Sequence, residues 1–189
     1  MRWKLRLACF GLCCALVFLP WPSAALEETI TQHYQRTLRD FTAGKYEQAE
    51  RDALLLLARV EKLQGKDRTG SASVLYLLAS IYERQGRYAD AVPLYERVLS
   101  IREKSLETSN PDVLAALNNL AVIYEYQGHY EQAAATLMRL LAIQEPALGP
   151  EHWRVADTLN NLAVVLYSQG RYQEAIPFHQ RALAIREKA

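Results

Sequence analysis

Apolar residues recur along this chain at helical spacing, in blocks closed by short polar turns, and the blocks return in register every 42 residues. The segments LYLLASIY from Leu75, LNNLAVIY from Leu117 and LNNLAVVL from Leu159 begin at equal intervals. Gly86, Gly128 and Gly170 follow in phase, as do Tyr88, Tyr130 and Tyr172, and Leu99, Leu141 and Leu183. Within one unit, Leu117, Leu120, Ala121 and Tyr124 form a helical stripe, Gln127-Gly128-His129 interrupts it, and Tyr130, Ala133, Leu137, Leu140, Leu141 and Ile143 form a second. This pattern predicts a helix, a tight turn and a second helix. Asn110-Pro111-Asp112 supplies an N-cap, a first-turn proline and an acid that suits the helix dipole. No segment alternates with the period of a strand, so the expected class is all-α.

Stepping back one period from Gly86 reaches Gly44, followed by Tyr46, Ala49 and Leu57, the second half of a fourth, degenerate unit. Its first half does not align directly. The expected apolar sites fall on His33, Arg36 and Asp40, whereas Ile30, Tyr34, Leu38 and Phe41 make a stripe one residue out of register, as if the turn before Gly44 had lost a residue. The units then run over about 26–62, 70–104, 111–146 and 153–188, within a repeat domain of 26–189. One unit buries too few apolar side chains to offset the entropy of ordering it, so neighbours must stack and fold cooperatively. Repeats of this length form solenoids, whose usual work is to offer a long surface to another macromolecule.

Residues 1–25 read as an export signal. Arg2, Lys4 and Arg6 precede the apolar stretch Leu7–Leu19, then Pro20 and Pro22 break it, and Ser23-Ala24-Ala25 offers small residues for cleavage before Leu26. The apolar stretch is too short to span a bilayer, which needs about 20 residues. The expected location is therefore periplasmic or extracellular, with membrane attachment only if the leader stays uncleaved. Cys9, Cys13 and Cys14 all lie in the leader and would leave with it, so the mature chain would carry no disulfide, cysteine zinc site or thiolate nucleophile. Taking the leader's three basic residues from the chain's 22 leaves 19 against 21 acidic ones, a balance that points to neither nucleic acid nor an anionic membrane as partner.

A period near 42 is shared by several repeat classes, so residue identities must choose. The order Leu-x-x-Leu-Ala-x-x-Tyr, then Gln-Gly-x-Tyr-x-x-Ala, then a closing Leu-x-Ile, resembles the tetratricopeptide repeat (TPR). LNNLAVIYEYQGHYEQA and the join IREKSLETSNPDVLAALNNLA resemble its long kinesin-light-chain form. The resemblance implies a right-handed α-solenoid whose first helices line a concave peptide groove. The groove-facing positions would be Tyr76, Leu77, Ser80, Glu83 and Arg84; then Asn118, Asn119, Val122, Glu125 and Tyr126; then Asp157, Asn160, Asn161, Val164 and Tyr167. Asn119 and Asn161 match the family's backbone-gripping asparagine, and an amide that both donates and accepts can hold peptide backbone whatever its side chains. The basic residues by which carboxylate-clamp adaptors hold a terminal carboxylate are replaced by Ala115, Asp157 and other non-basic side chains.

Other features read as structural. Pro93 and Pro177, two periods apart, are expected near the tolerant first turn of second helices. His33, His129, His152 and His179 are scattered, with His152 at a cap position and His179 in an aromatic core column. No phosphate loop, nucleophile elbow or His-Glu-x-x-His motif is present, so neither a cofactor, a metal nor catalysis is expected. The chain's last helix offers Ile176, Leu183 and Ile185 as an uncovered apolar stripe, a candidate for self-association. The sequence thus implies a non-catalytic protein- or peptide-binding scaffold. The rival is an accessory subunit of an envelope enzyme or secretion complex that works through its convex face, where Arg97 and Arg139 lie, or through its C-terminal end.

Overall fold

A computed structural model describes residues 22–66, 68–105 and 109–188. The body of the expected leader lies outside these residues, and the first helix runs across the expected cleavage position. Eight helices follow one another: α1 (Pro22–Thr42), α2 (Tyr46–Gln64), α3 (Thr69–Arg84), α4 (Tyr88–Lys104), α5 (Pro111–Tyr126), α6 (Tyr130–Leu148), α7 (Trp153–Ser168) and α8 (Tyr172–Lys188). There is no strand among the described residues. Each helix packs on its neighbours in sequence, and first and second helices alternate in two layers.

The turns inside the pairs are alike. The chain must reverse within three residues, and a left-handed glycine allows it: Gly44 sits at φ 75° and Gly128 at φ 74°. Gly128 N–H donates to the Glu125 carbonyl and His129 N–H to that of Tyr124, at 2.9 and 2.8 Å. Gly44 and Lys45 bond to Phe41 and Asp40 in the same way, at 3.0 and 2.9 Å. The first turn has therefore lost no residue, against the sequence expectation. Thr37, fully buried, takes the small-residue place of Ala79, Ala121 and Ala163. The apolar register differs because His33, Arg36 and Asp40 stand where later first helices place Leu75, Leu78 and Tyr82, or Leu117, Leu120 and Tyr124. Those later positions meet the preceding pair, as Leu78 and Tyr82 pack with Ala49 and Ala53. Among the described residues no pair precedes α1, so its front is polar.

The core runs along the interface of the two layers. One cluster joins Leu75, Tyr95, Leu99, Leu117, Leu120, Ile123, Leu137 and Leu162 across three units, the stacking that single units lack. A periodic ion pair joins successive second helices: Glu61–Arg97 at 2.6 Å, Glu103–Arg139, and Glu145–Arg181 at 2.6 Å, every member displaced by 42 residues from the last. The links between units end in caps. Asn110 Oδ1 accepts from Asp112 N–H at 2.9 Å, and the His152 ring nitrogen Nδ1 accepts from Arg154 N–H at 3.1 Å.

Three local expectations are corrected. Pro93 and Pro177 lie five residues into α4 and α8, past the first turn; both helices continue, with the ring side exposed to water that can meet the freed carbonyl. Ile185 is buried, 4% exposed, against Val155, Ala156 and Leu159, because its side of α8 faces α7. His179 is exposed, whereas Tyr95 and Leu137 at the same place in earlier units are buried by the helix that follows them.

Candidate peptide-binding surface

On α3, α5 and α7 the residues that follow the first leucine of each repeat motif, among them Tyr76, Asn118, Asn119, Asn160 and Asn161, are half-buried and polar, and together they make one strip. At its centre is Tyr95, from α4, whose ring is fully buried while its hydroxyl reaches the strip. That hydroxyl donates to Glu83 at 2.9 Å, lies 3.1 Å from the Ser80 hydroxyl and accepts from Asn119 Nδ2 at 3.0 Å. Asn119 also donates to the Tyr76 hydroxyl at 3.3 Å, and the two tyrosine rings meet edge to face, centroids 5.6 Å apart. Burial pushes the ionisation of Tyr95 and Tyr76 upward, so both stay neutral donors and acceptors.

The expected groove residues thus divide. Tyr76, Ser80, Glu83 and Asn119 are joined in one intramolecular network, with both Asn119 donors directed inward. Leu77 is not a groove residue: it is 3% exposed and packs with Leu78 and Ile81, where an apolar side chain belongs. Asn118, Asn160 and Asn161 are half-buried and their side chains form no hydrogen bond among the described residues, leaving donors and acceptors for a ligand. Val122 is half-buried, Val164 exposed and Arg84 exposed. Glu125 is half-buried, and burial raises its carboxyl above the usual range. Tyr126, 71% exposed, stacks on Tyr88 with centroids 5.6 Å apart; Tyr167 meets Tyr172 edge-on at 4.8 Å.

Between α5 and α7 the strip opens into a cleft of about 450 Å³ lined by Asn118, Asn119, Ala115, Trp153, Asp157 and Thr158, among others. Its acids are already engaged: Asp112 with Arg102 at 2.6 Å and Asp157 with Arg186 at 2.8 Å. Trp153, 54% exposed with the Arg154 guanidinium 5.1 Å from its ring centre, lines this cleft and was missed by sequence reasoning. Its signal was available, since a large aromatic directly after a cap and among polar neighbours has little core to join. No group of three His, Cys, Asp or Glu that could hold a metal occurs among the described residues.

The tetratricopeptide repeat family matches over residues 40–104, 70–145 and 112–188. The chain belongs to this family. Its TPR solenoid is similar to BtubC (BKLC) from P. vanneervenii, with 28% identity and a TM-score of 0.75 over 89% of this chain and 66% of that one. It is also similar to the nearly identical TPR-like repeats of a Podosopora anserina kinesin light chain, at 25% identity and TM-score 0.74, covering 85% and 76%. The TPR array therefore spans just under two thirds of BtubC, and its repeats are of the kinesin-light-chain kind. MamA shares the fold alone, at 17% identity and TM-score 0.63, covering 88% and 85%. No curated protein matches the chain by sequence. TPR arrays of this kind are protein-interaction scaffolds, and no described helix is long and apolar enough to cross a membrane.

Proposed function

We propose that this TPR protein is a non-catalytic adaptor that holds an extended peptide segment along the α3–α5–α7 strip. The observation that carries the reading is the α5–α7 cleft, where the unengaged amide of Asn118 stands beside exposed Trp153, with Asn160 and Asn161 on the same layer. Amides hold peptide backbone, and the indole adds an apolar contact for a side chain. Asn118, not Asn119, is the stronger candidate for the grip, because Asn119 spends its donors on Tyr95 and Tyr76. The test is capture of the natural partner by Asn118→Leu/Asn160→Leu protein: binding should weaken at least about tenfold, as expected for loss of two buried hydrogen bonds, with the melting curve unchanged. Unchanged binding would refute the assignment. Export through residues 1–25 belongs to the same proposal, and a mature protein beginning at Leu26 on N-terminal sequencing is its expected mark.

A second reading, self-association, has its own observation. Ile176 is 46% and Leu183 58% exposed on α8, whereas the equivalent Leu99 is 5% exposed beneath the next unit. A head-to-tail copy would lay the polar front of α1 on this apolar face, so the fitting copy joins like end to like end. Light scattering of wild type and Ile176→Glu/Leu183→Glu protein is the test. A dimer that the substitutions dissolve is expected, and a wild-type monomer at high concentration refutes it.

A further inference from the structure

The front of α1 is more than a polar end. His33, Arg36 and Arg39 follow one another at helical spacing on α1, and Arg59 joins them from α2, around a cavity of about 510 Å³ that Gln32 and Thr29 also line. Three guanidinium groups thus share one concave surface, and the carboxylate they meet is Asp52, 3.3 Å from Arg36. The side chains of Arg39 and Arg59 form no ion pair or hydrogen bond among the described residues. Elsewhere Arg97, Arg139 and Arg181 each hold a carboxylate, while Arg68 and Arg84 also form no ion pair among the described residues; what sets Arg39 and Arg59 apart is that they share one cavity with Arg36. In the same cavity the Nε2 atom of His33 is closed to solvent and has no hydrogen-bond partner. Three cations face one carboxylate across the cavity, and the ionisation of His33 is lowered by burial first and then by Arg36, with Asp52 opposing and Arg59 adding to the shift.

We propose that this cavity is a binding site for a multivalent oxyanion, held by Arg39 and Arg59 beside Arg36 and the His33 ring. Guanidinium forks suit phosphate and carboxylate oxygens alike, so the two sources are separated by experiment. A solvated end cap explains the polarity of the α1 front, yet it does not require three arginines gathered around one cavity. The site lies apart from Asn118 and Trp153 and stands independently of the peptide-groove reading.

The test titrates the full-length mature protein with inorganic phosphate and, separately, with citrate, following the His33 ring signals by NMR, against sodium chloride at matched ionic strength. Saturable shifts of the His33 signals by either anion at concentrations where chloride has no effect are expected. Stronger binding of phosphate assigns a phosphate-bearing ligand, and stronger binding of citrate an acidic carboxylate one. In Arg39→Gln/Arg59→Gln protein the affinity should fall at least about tenfold, the loss of two charge-assisted hydrogen bonds. Neither arginine side chain has an ion-pair or hydrogen-bond partner among the described residues, so the fold should survive, as circular dichroism would verify. Shifts equal to those of chloride, or binding that the double substitution leaves unchanged, would overturn the proposal.

Discussion

Asn119 Nδ2 donates to the hydroxyl of Tyr95 at 3.0 Å, tying α5 to the second helix of the preceding pair. The tyrosine ring is fully buried, so its hydroxyl needs partners, and Asn119, Ser80 and Glu83 supply them from two first helices. An asparagine inside a helix is thereby explained by packing between units. Asn119→Leu is expected to cost about 1 kcal/mol in stability and Tyr95→Phe about 1–3 kcal/mol, the latter more because Glu83 loses a donor. The double variant should lose less than the sum, since the residues touch. Urea unfolding of the four proteins measures this; strict additivity would show that the bond is absent.

The ion pairs repeated along the second helices are the next relationship open to test. Arg139→Glu, which sets like charges against Glu103, should lower stability by up to about 1 kcal/mol, the range of partly exposed pairs. Adding Glu103→Arg should restore most of the loss. Because these arginines already hold the neighbouring unit, a loss of partner binding in Arg139→Glu alone that the paired exchange repairs reports on stacking. A loss that the exchange does not repair would favour the convex-face reading.

Alkaline pH should loosen the array before its arginines respond. The Tyr124 hydroxyl is pushed up to about 12, first by burial and then by its hydrogen bond to Glu96, while burial also raises Tyr95 and Tyr76. In the unfolded chain tyrosines ionise near 10. Above that pH the unfolded state releases protons that the folded state keeps, so stability is complete below about 10 and falls as pH rises toward 12. Urea midpoints should hold between pH 8 and about 10 and decline above that, less steeply for Tyr124→Phe. A flat profile would contradict the buried, bonded tyrosines.

Much of this was legible in sequence because it is local and repeated. Gly86, Gly128 and Gly170 mark the turns, and Leu117, Leu120 and Tyr124 mark a buried face, without knowledge of any distant contact. The α1 register was misread for a physical reason: with no described pair before it, its front has no apolar requirement, and His33 and Arg36 resemble an alignment error. His179 and Ile185 were exchanged in the same way, since the fate of each depends on which side of α8 the array covers. The role of Asn119 could not be read, because its partner Tyr95 lies 24 residues earlier on another helix. Leu77 occupies the same column as Asn119 and is core, so a column shared by spacing does not share a function.

The most direct measurement places a photo-crosslinking residue, one position at a time, at Asn118 or Asn160 on the first-helix strip and at Met138 on the second-helix surface, in the native host. The account requires one and the same partner band from Asn118 and Asn160 and none from Met138. That band from Met138 alone would contradict it and place the working surface on the second-helix layer.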